Sequence, residues 1–248
     1  MLCPPSKTRI EVGVDEVGRG CLSHSVVAGA CVLPQDLDLA HPLVASIKDS
    51  KKLSEKKRVQ VCAFIKSVAV AWAVGEATVD EIDEHNILKA TFMAMHRALD
   101  KVYAQCKFGH ILVDGPHFRQ YFQDRDNGIT GERYFIPNTC VLNGDAVHMS
   151  IAAASILAKC YRDDMVCRIV AEDATGTLAK YGFESHKGYG TKKHMDALNA
   201  YGATLHHRKS FAPVAAILCA GSVSRGIRDD GDTDDDESDE SDESDSSE

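Results

Sequence analysis

The chain has 248 residues, 44% of them hydrophobic, and a formal net charge of −9. That length allows a proper core, in one large domain or a domain with a small appendage. No apolar run approaches the ~20 residues needed to cross a bilayer as a helix, and the opening MLCPPSKTR lacks the apolar centre of a secretory signal, so an intracellular protein is expected: cytoplasmic in a bacterium, nuclear or in a DNA-containing organelle in a eukaryote. Nine cysteines without a CxxC pair argue against a zinc knuckle or a disulfide framework.

The charge is unevenly placed. Residues 229–248 hold 13 of the 37 acids and none of the 28 bases, leaving a mildly basic body of 28 bases against 24 acids. Such a body suits a polyanion. The tail DDGDTDDDESDESDESDSSE has no apolar residue to offset ordering entropy, so disorder is expected there. Its Ser-Asp-Glu repeats suit acidophilic kinases, and its charge suits a basic protein partner.

In chain order, Arg9 to Val14 alternates with period two and predicts a strand with Ile10, Val12 and Val14 on one face. Asp15 and Glu16 follow, then Gly18-Arg19-Gly20. Both acids can serve one site if the strand ends at them and the chain turns, as the glycines permit. Arg19 offers a phosphate a rigid fork of donors. This reading is metal-assisted chemistry on a phosphate polymer; the bland alternative is a strand end followed by a loop salt bridge. Val26 to Leu33 predicts a partner strand, Ser54 a helix N-cap, Val68 to Val74 a buried strand, and Thr78 with Glu81 a capping box. Asp80, Glu81, Asp83 and Glu84 read as a solvated helix face.

From Asn86, apolar Leu88, Phe92, Met95, Leu99 and Val102 mark one face of a helix. His110 to Val113 predicts a short strand that delivers Asp114 to its end. Asn143-Gly144-Asp145 precedes a long helical stretch, which puts Asp145 at a helix N-terminus, and the AAAS centre of that stretch suits close packing on a sheet. A last helix runs from about Thr191 to Tyr201 and stops at Gly202. Interleaved strands and helices imply an α/β sheet core. Asp15, Glu16, Asp114 and Asp145 all fall at element ends that can meet at one sheet edge. Oxygen ligands there suit Mg²⁺ or Mn²⁺. His110, His117, His148, His186, His194, His206 and His207 show no metal-ligand spacing and read as structural or exposed.

GVDEVGRG (13–20), DSKKLSEKKR (49–58), HNILKATFMAMHRAL (85–99), ILVDG (111–115), GDAVHMSIAAASILAK (144–159), HKGYGTKKH (186–194) and HHRKSFAPV (206–214) occur in one order. In that order they resemble type 2 ribonuclease H, ribonuclease HII, over roughly residues 9–214, in its single-chain bacterial-type form. The resemblance implies a ribonuclease H-like mixed sheet flanked by helices, with a small helical C-terminal region. It divides the chain into a flexible N-terminus (1–8), a catalytic domain (9–221, helical from about 165) and an acidic tail (222–248).

It also implies roles. Asp15, Glu16, Asp114 and Asp145 match the acidic ligands of Mg²⁺ or Mn²⁺; Gly18, Arg19 and Gly20 match the turn that reads a ribonucleotide's 2′-OH at a DNA–RNA junction. Tyr189 matches a tyrosine that stacks at that junction, and Lys51, Ser155 and Lys159 match positions near the nucleic-acid backbone. The implied activity is a monomeric endonuclease that cuts the RNA of RNA–DNA hybrids and the 5′ side of ribonucleotides embedded in duplex DNA, leaving 3′-OH and 5′-phosphate ends. The 2′-OH is what separates RNA from DNA at a given site. The alternative class is a catalytically weak hybrid-binding module, or a histone-binding adaptor using the tail. One departure stands out: where the family follows the Gly-Arg-Gly turn with proline and small residues, this chain has Cys21-Leu22-Ser23-His24-Ser25, which implies a freer turn.

Overall fold

The computed structural model describes residues 2–48, 53–124 and 131–225. Lys51 and the tail at 229–248 lie outside the described residues.

A five-stranded sheet in the order β3-β2-β1-β4-β7 organises the chain. β1 (Glu11–Val17), β2 (Val26–Val32) and β3 (Ala71–Ala77) form an antiparallel meander. β4 (His110–Asp114) and β7 (Asn138–Val141) run parallel to β1. β5 (Tyr121–Asp124) and β6 (Arg133–Ile136) make a separate antiparallel ribbon. The sheet is therefore mixed, and the C-terminal ends of its three parallel strands open on one edge.

Helices cover both faces. On one lies α3 (Ile87–Gln105), preceded by the short α2 (Val79–His85). On the other lie α1 (Glu55–Val68) and α4 (Met149–Ala171). The approach of α4 is set by missing side chains: a Cβ on Gly13 would fall 2.2 Å from the Ser150 carbonyl carbon, and one on Gly29 2.2 Å from the Ala154 oxygen. The small residues of the AAAS stretch and the strand glycines thus meet backbone to backbone, as their composition predicts. A third apolar cluster builds the C-terminal lobe from the end of α4, α5 (Phe183–His186), α6 (Lys192–Tyr201) and α7 (Ala212–Arg225), with Tyr181, Phe183 and Leu198 buried at its centre.

Local signals in the sequence behave as their chemistry dictates. Ser54 accepts from the Lys57 N–H, Thr78 and Glu81 form a reciprocal capping box, and Thr191 caps α6. Several boundaries differ from expectation. β1 does not stop at the acids but runs on through Val17, pairing Asp15 with Gly29 and Glu16 with Ala28. β3 begins at Ala71, because Val68 closes the last turn of α1. Asp145 belongs to a separate 3₁₀ turn, Gly144–Ala146, ahead of α4, which starts at Met149. α7 reaches Arg225, four residues into the stretch assigned to the tail. The acids of α2 are not merely a solvated face. Glu81 grips Arg97, and Asp83 accepts from the Lys209 and Ser210 N–H groups, tying α2 to the C-terminal lobe.

Candidate active site

Parallel pairing brings the acids together. The β1–β4 ladder aligns Val14 with Val113, so the next residues, Asp15 within β1 and Asp114 at the end of β4, stand side by side. β7 aligns Val141 with Asp114, and the chain then turns through Asn143, in the left-handed region at φ 52°, into the 3₁₀ turn that carries Asp145. The Gly144 N–H donates to Asp114 Oδ1 at 2.6 Å and fixes that turn against β4. Ligand sites in open α/β sheets form at the carboxyl ends of strands, and this edge follows the rule.

The electrostatics are those of a crowded acid cluster. Asp15 is buried, and burial first, then repulsion from Glu16 and Asp114, holds its carboxyl well above the ordinary carboxylate range. The Ser155 hydroxyl and the Glu16 N–H, at 2.7 Å, donate to it and partly offset the rise. Burial also raises Glu16, against the pull of Arg19, whose guanidinium lies 3.3 Å from Glu16 Oε1. The bland loop salt bridge is therefore present beside the acid cluster. All the donors are carboxylate oxygens, the set that Mg²⁺ and Mn²⁺ prefer. Among the described residues no three acid, histidine or cysteine side chains converge closely enough to cage an ion as they stand; Asp15, Glu16 and Asp114 are instead turned onto the protein partners just named.

The Gly-Arg-Gly turn follows directly. Gly18 has φ 91° and rests on the Arg162 side chain, where a Cβ would fall 2.3 Å from Nε, so glycine is required there on two counts. Gly20 meets no protein atom within 4 Å of an added Cβ, which leaves its backbone open to a ligand. Loss of the family's proline does not free the turn. The Cys21 N–H, which a proline would lack, donates to the Gly18 carbonyl at 3.3 Å, and Cys21 bridges Tyr189 in antiparallel fashion. The Leu22 N–H adds a bond to the Gly188 carbonyl at 2.8 Å. Tyr189 is thereby zipped to the turn, with its side chain close to the Cys21 thiol and the residue 39% exposed. Lys159 Nζ lies 5.7 Å from that ring and pairs with Asp163 at 2.8 Å.

Histidine chemistry supports Tyr189 from behind, which the scattered positions of these residues did not reveal. The Thr204 N–H donates to His207 Nδ1 at 2.9 Å, so neutral His207 carries its proton on Nε2 and donates it to His194 Nε2 at 3.1 Å. His194 then donates from Nδ1 to the Tyr189 carbonyl at 2.9 Å. His24, at φ 65° in place of a small residue, is buried against His206 and Phe183, and its Nε2 has no hydrogen-bond partner among the described residues. The signal for this cluster lay in HKGYGTKKH and HHRKSFAPV, whose members converge only in three dimensions.

Comparison with known proteins bears on the whole assembly. The sequence model of the family described as Ribonuclease HII matches residues 12–214. Ribonuclease HII of Parabacteroides distasonis is 42% identical over 222 residues, covering 89% of this chain and all of that protein. Among solved structures, ribonuclease H2 from Pyrococcus horikoshii OT3 superposes with a TM-score of 0.65 at 23% identity, over 85% of this chain and 98% of that one. Bst-RNase HIII in complex with Mn²⁺ gives 0.57 at 19% identity, over 87% and 71%. These two likenesses are of fold.

Proposed function

The chain belongs to the ribonuclease HII family and is a ribonuclease H, a hydrolytic endonuclease, and from that premise we propose that it cuts on the 5′ side of ribonucleotides embedded in duplex DNA, as well as within RNA–DNA hybrids, leaving 3′-OH and 5′-phosphate ends. The observation that carries the reading is the adjacency of two features at one sheet edge: the acid cluster of Asp15, Glu16 and Asp114, and the Gly18–Gly20 turn zipped to Tyr189.

Asp15, Glu16, Asp114 and Asp145 would hold Mg²⁺ or Mn²⁺, in keeping with their all-oxygen donor set. Bound there, such ions would supply an activated water and neutralise charge on the leaving oxygen. A relative of the same fold was solved with Mn²⁺. Burial and mutual repulsion raise the cost of keeping Asp15 ionised alone, a cost that a cation held by these carboxylates would lower. Ser155 steadies Asp15 from α4 through its hydroxyl. The turn would sense a 2′-OH through the open backbone at Gly20, where no protein atom comes within 4 Å of an added Cβ, with Gly18 seated on Arg162 holding the turn in place. Tyr189 offers its half-exposed ring to the neighbouring sugar and base. Lys159 would add positive charge beside that ring, and Arg19, exposed beside Glu16, would offer a phosphate the remaining donors of its fork. Lys51 is assigned a backbone contact on the strength of its motif alone.

The deciding experiment incubates purified protein with an end-labelled duplex carrying one ribonucleotide, with and without Mg²⁺ or Mn²⁺, and maps the ends. Cation-dependent cleavage on the 5′ side of the ribonucleotide is expected. Cleavage of continuous hybrids with no cut at the single ribonucleotide would refute the junction reading.

A further inference from the structure

Arg162 and Arg208 are fully buried, an unusual state for guanidinium groups, whose lost hydration has to be replaced by hydrogen bonds. Their hydrogen bonds end on backbone carbonyls. Arg162, on α4, donates from Nε to Ser25 O at 3.1 Å, from one terminal nitrogen to Lys187 O at 2.7 Å and from the other to Ser23 O at 3.0 Å. Arg208, in the C-terminal lobe, donates to Arg19 O at 3.0 Å and, with two nitrogens, to His24 O at 3.0 and 2.8 Å. Five carbonyls on two segments, 19–25 and 187, are thus held from opposite sides. Both segments run mostly outside the strands and helices, so their buried carbonyls depend on partners of this kind.

The segments held are the ones that carry the turn and the tyrosine. Arg162 forms the floor beneath Gly18 and fastens the residue two before Tyr189. Arg208 fastens Arg19 within the turn itself. We infer that Arg162 and Arg208 are positioning residues that set the spacing between the Gly18–Gly20 backbone and Tyr189, and thereby the enzyme's selectivity for an isolated ribonucleotide over a continuous hybrid. The inference rests on the junction reading above. An isolated ribonucleotide presents a single 2′-OH, so a turn misplaced by about 1 Å loses on the order of a hundredfold in rate. A continuous hybrid presents a 2′-OH at every step and tolerates a displaced turn. A lysine cannot stand in, because one ammonium lacks the planar fork that reaches carbonyls in divergent directions.

The test uses Arg162→Lys and Arg208→Lys in the full chain, which keep the charge and most of the stem. kcat and KM are measured on a duplex with one ribonucleotide and on a continuous hybrid of the same length, with melting temperature recorded alongside. In each variant the ratio of kcat/KM, single ribonucleotide over hybrid, should fall at least about ten-fold, mostly through kcat. If Arg162→Lys does not fold, Arg208→Lys carries the test alone, since it reaches the same turn from the other lobe. An equal loss on both substrates, or no loss on either, overturns the inference and leaves the arginines as structural supports. Tyr189→Ala is run in parallel. An unchanged ratio there overturns the junction reading and this inference with it; a ratio that falls for Tyr189→Ala but for neither lysine variant overturns the arginine role alone.

Discussion

The histidines behind Tyr189 make folding stability fall with acid well before ordinary carboxylates protonate. Burial first, then His194 and His206, push His207 down to about 4 from an ordinary value of 6.5. The geometry agrees, because a second proton on Nδ1 would face the Thr204 N–H. A base whose folded value is depressed contributes its full stability above 6.5 and loses it as pH falls toward 4, since only the unfolded state takes up the proton in that window. At pH 5, about 1.5 units below the unfolded value, the loss from His207 is about 2 kcal/mol. Burial and the facing Arg162, His206, His207 and Arg208 hold His24 lower still, at about 2, and it loses a similar amount. Together that is about 4 kcal/mol against a total of 5–15 for a typical domain.

Asp15 and Glu16 pull the other way, because raised carboxyls gain stability on protonation. The comparison that isolates the histidine is therefore wild type against His207→Gln, whose amide can accept from Thr204 and donate to His194 without titrating. Urea unfolding is followed in metal-free buffer at pH 7.5, 6.5, 5.5 and 5.0. Wild type should lose about 2 kcal/mol more than His207→Gln between pH 7.5 and 5. Parallel curves for the two proteins would mean that His207 is as easily protonated folded as unfolded, and the tautomer chain from Thr204 to Tyr189 would be wrong.

Other perturbations reach different parts of the site. Asp114→Asn should abolish cleavage at saturating Mg²⁺ while hybrid binding and the urea midpoint hold or improve, since it removes one of the charges crowding Asp15 and its amide oxygen can still accept from Gly144; undiminished turnover would put the site elsewhere. Gly29→Ala should cost about 1–3 kcal/mol or more by overpacking, because the new Cβ meets the Ala154 oxygen at 2.2 Å and must push away the helix that carries Ser155, Lys159 and Arg162; calorimetry with cleavage assays should show stability and activity falling together. Deleting residues 229–248 removes 13 acids from a body of opposite charge and should tighten binding to plain DNA at low salt, with the difference vanishing as salt screens it over ~10 Å at 0.1 M. Equal affinities across the salt series would mean that the tail does not compete with nucleic acid.

What the sequence made legible is what local chemistry writes. The caps at Ser54 and Thr78 are one-residue decisions by a side-chain oxygen near a helix start, and the apolar runs of β1 and β4 announce the acids that follow them. The helical face of α3 was half read. Met95, Leu99 and Val102 are buried, but Leu88 is exposed, and the contact is completed by Ala90, Ala94 and Ala98, which come near because Gly75 leaves room for the helix backbone. β5, β6 and β7 carry no such mark, being four residues each and mixed in polarity, so pairing partners rather than pattern define them.

The same limit hides the parts of the site that act at a distance. Arg162 lies in a run of charged residues on a helix, where sequence reading assigns arginine to solvent by default. Its burial follows only once Gly18, 144 residues earlier in the chain, presents a face without a Cβ. A glycine at positive φ and an arginine in a charged helical run are each ambiguous alone. Each explains the other when the fold brings them together: the glycine leaves the space that the guanidinium fills, and the guanidinium holds the carbonyls that keep the glycine's turn in place. The acids of the candidate site need no such reciprocity, since they directly follow an apolar strand or a glycine turn in the sequence. The groups that hold them in register are visible only as pairs.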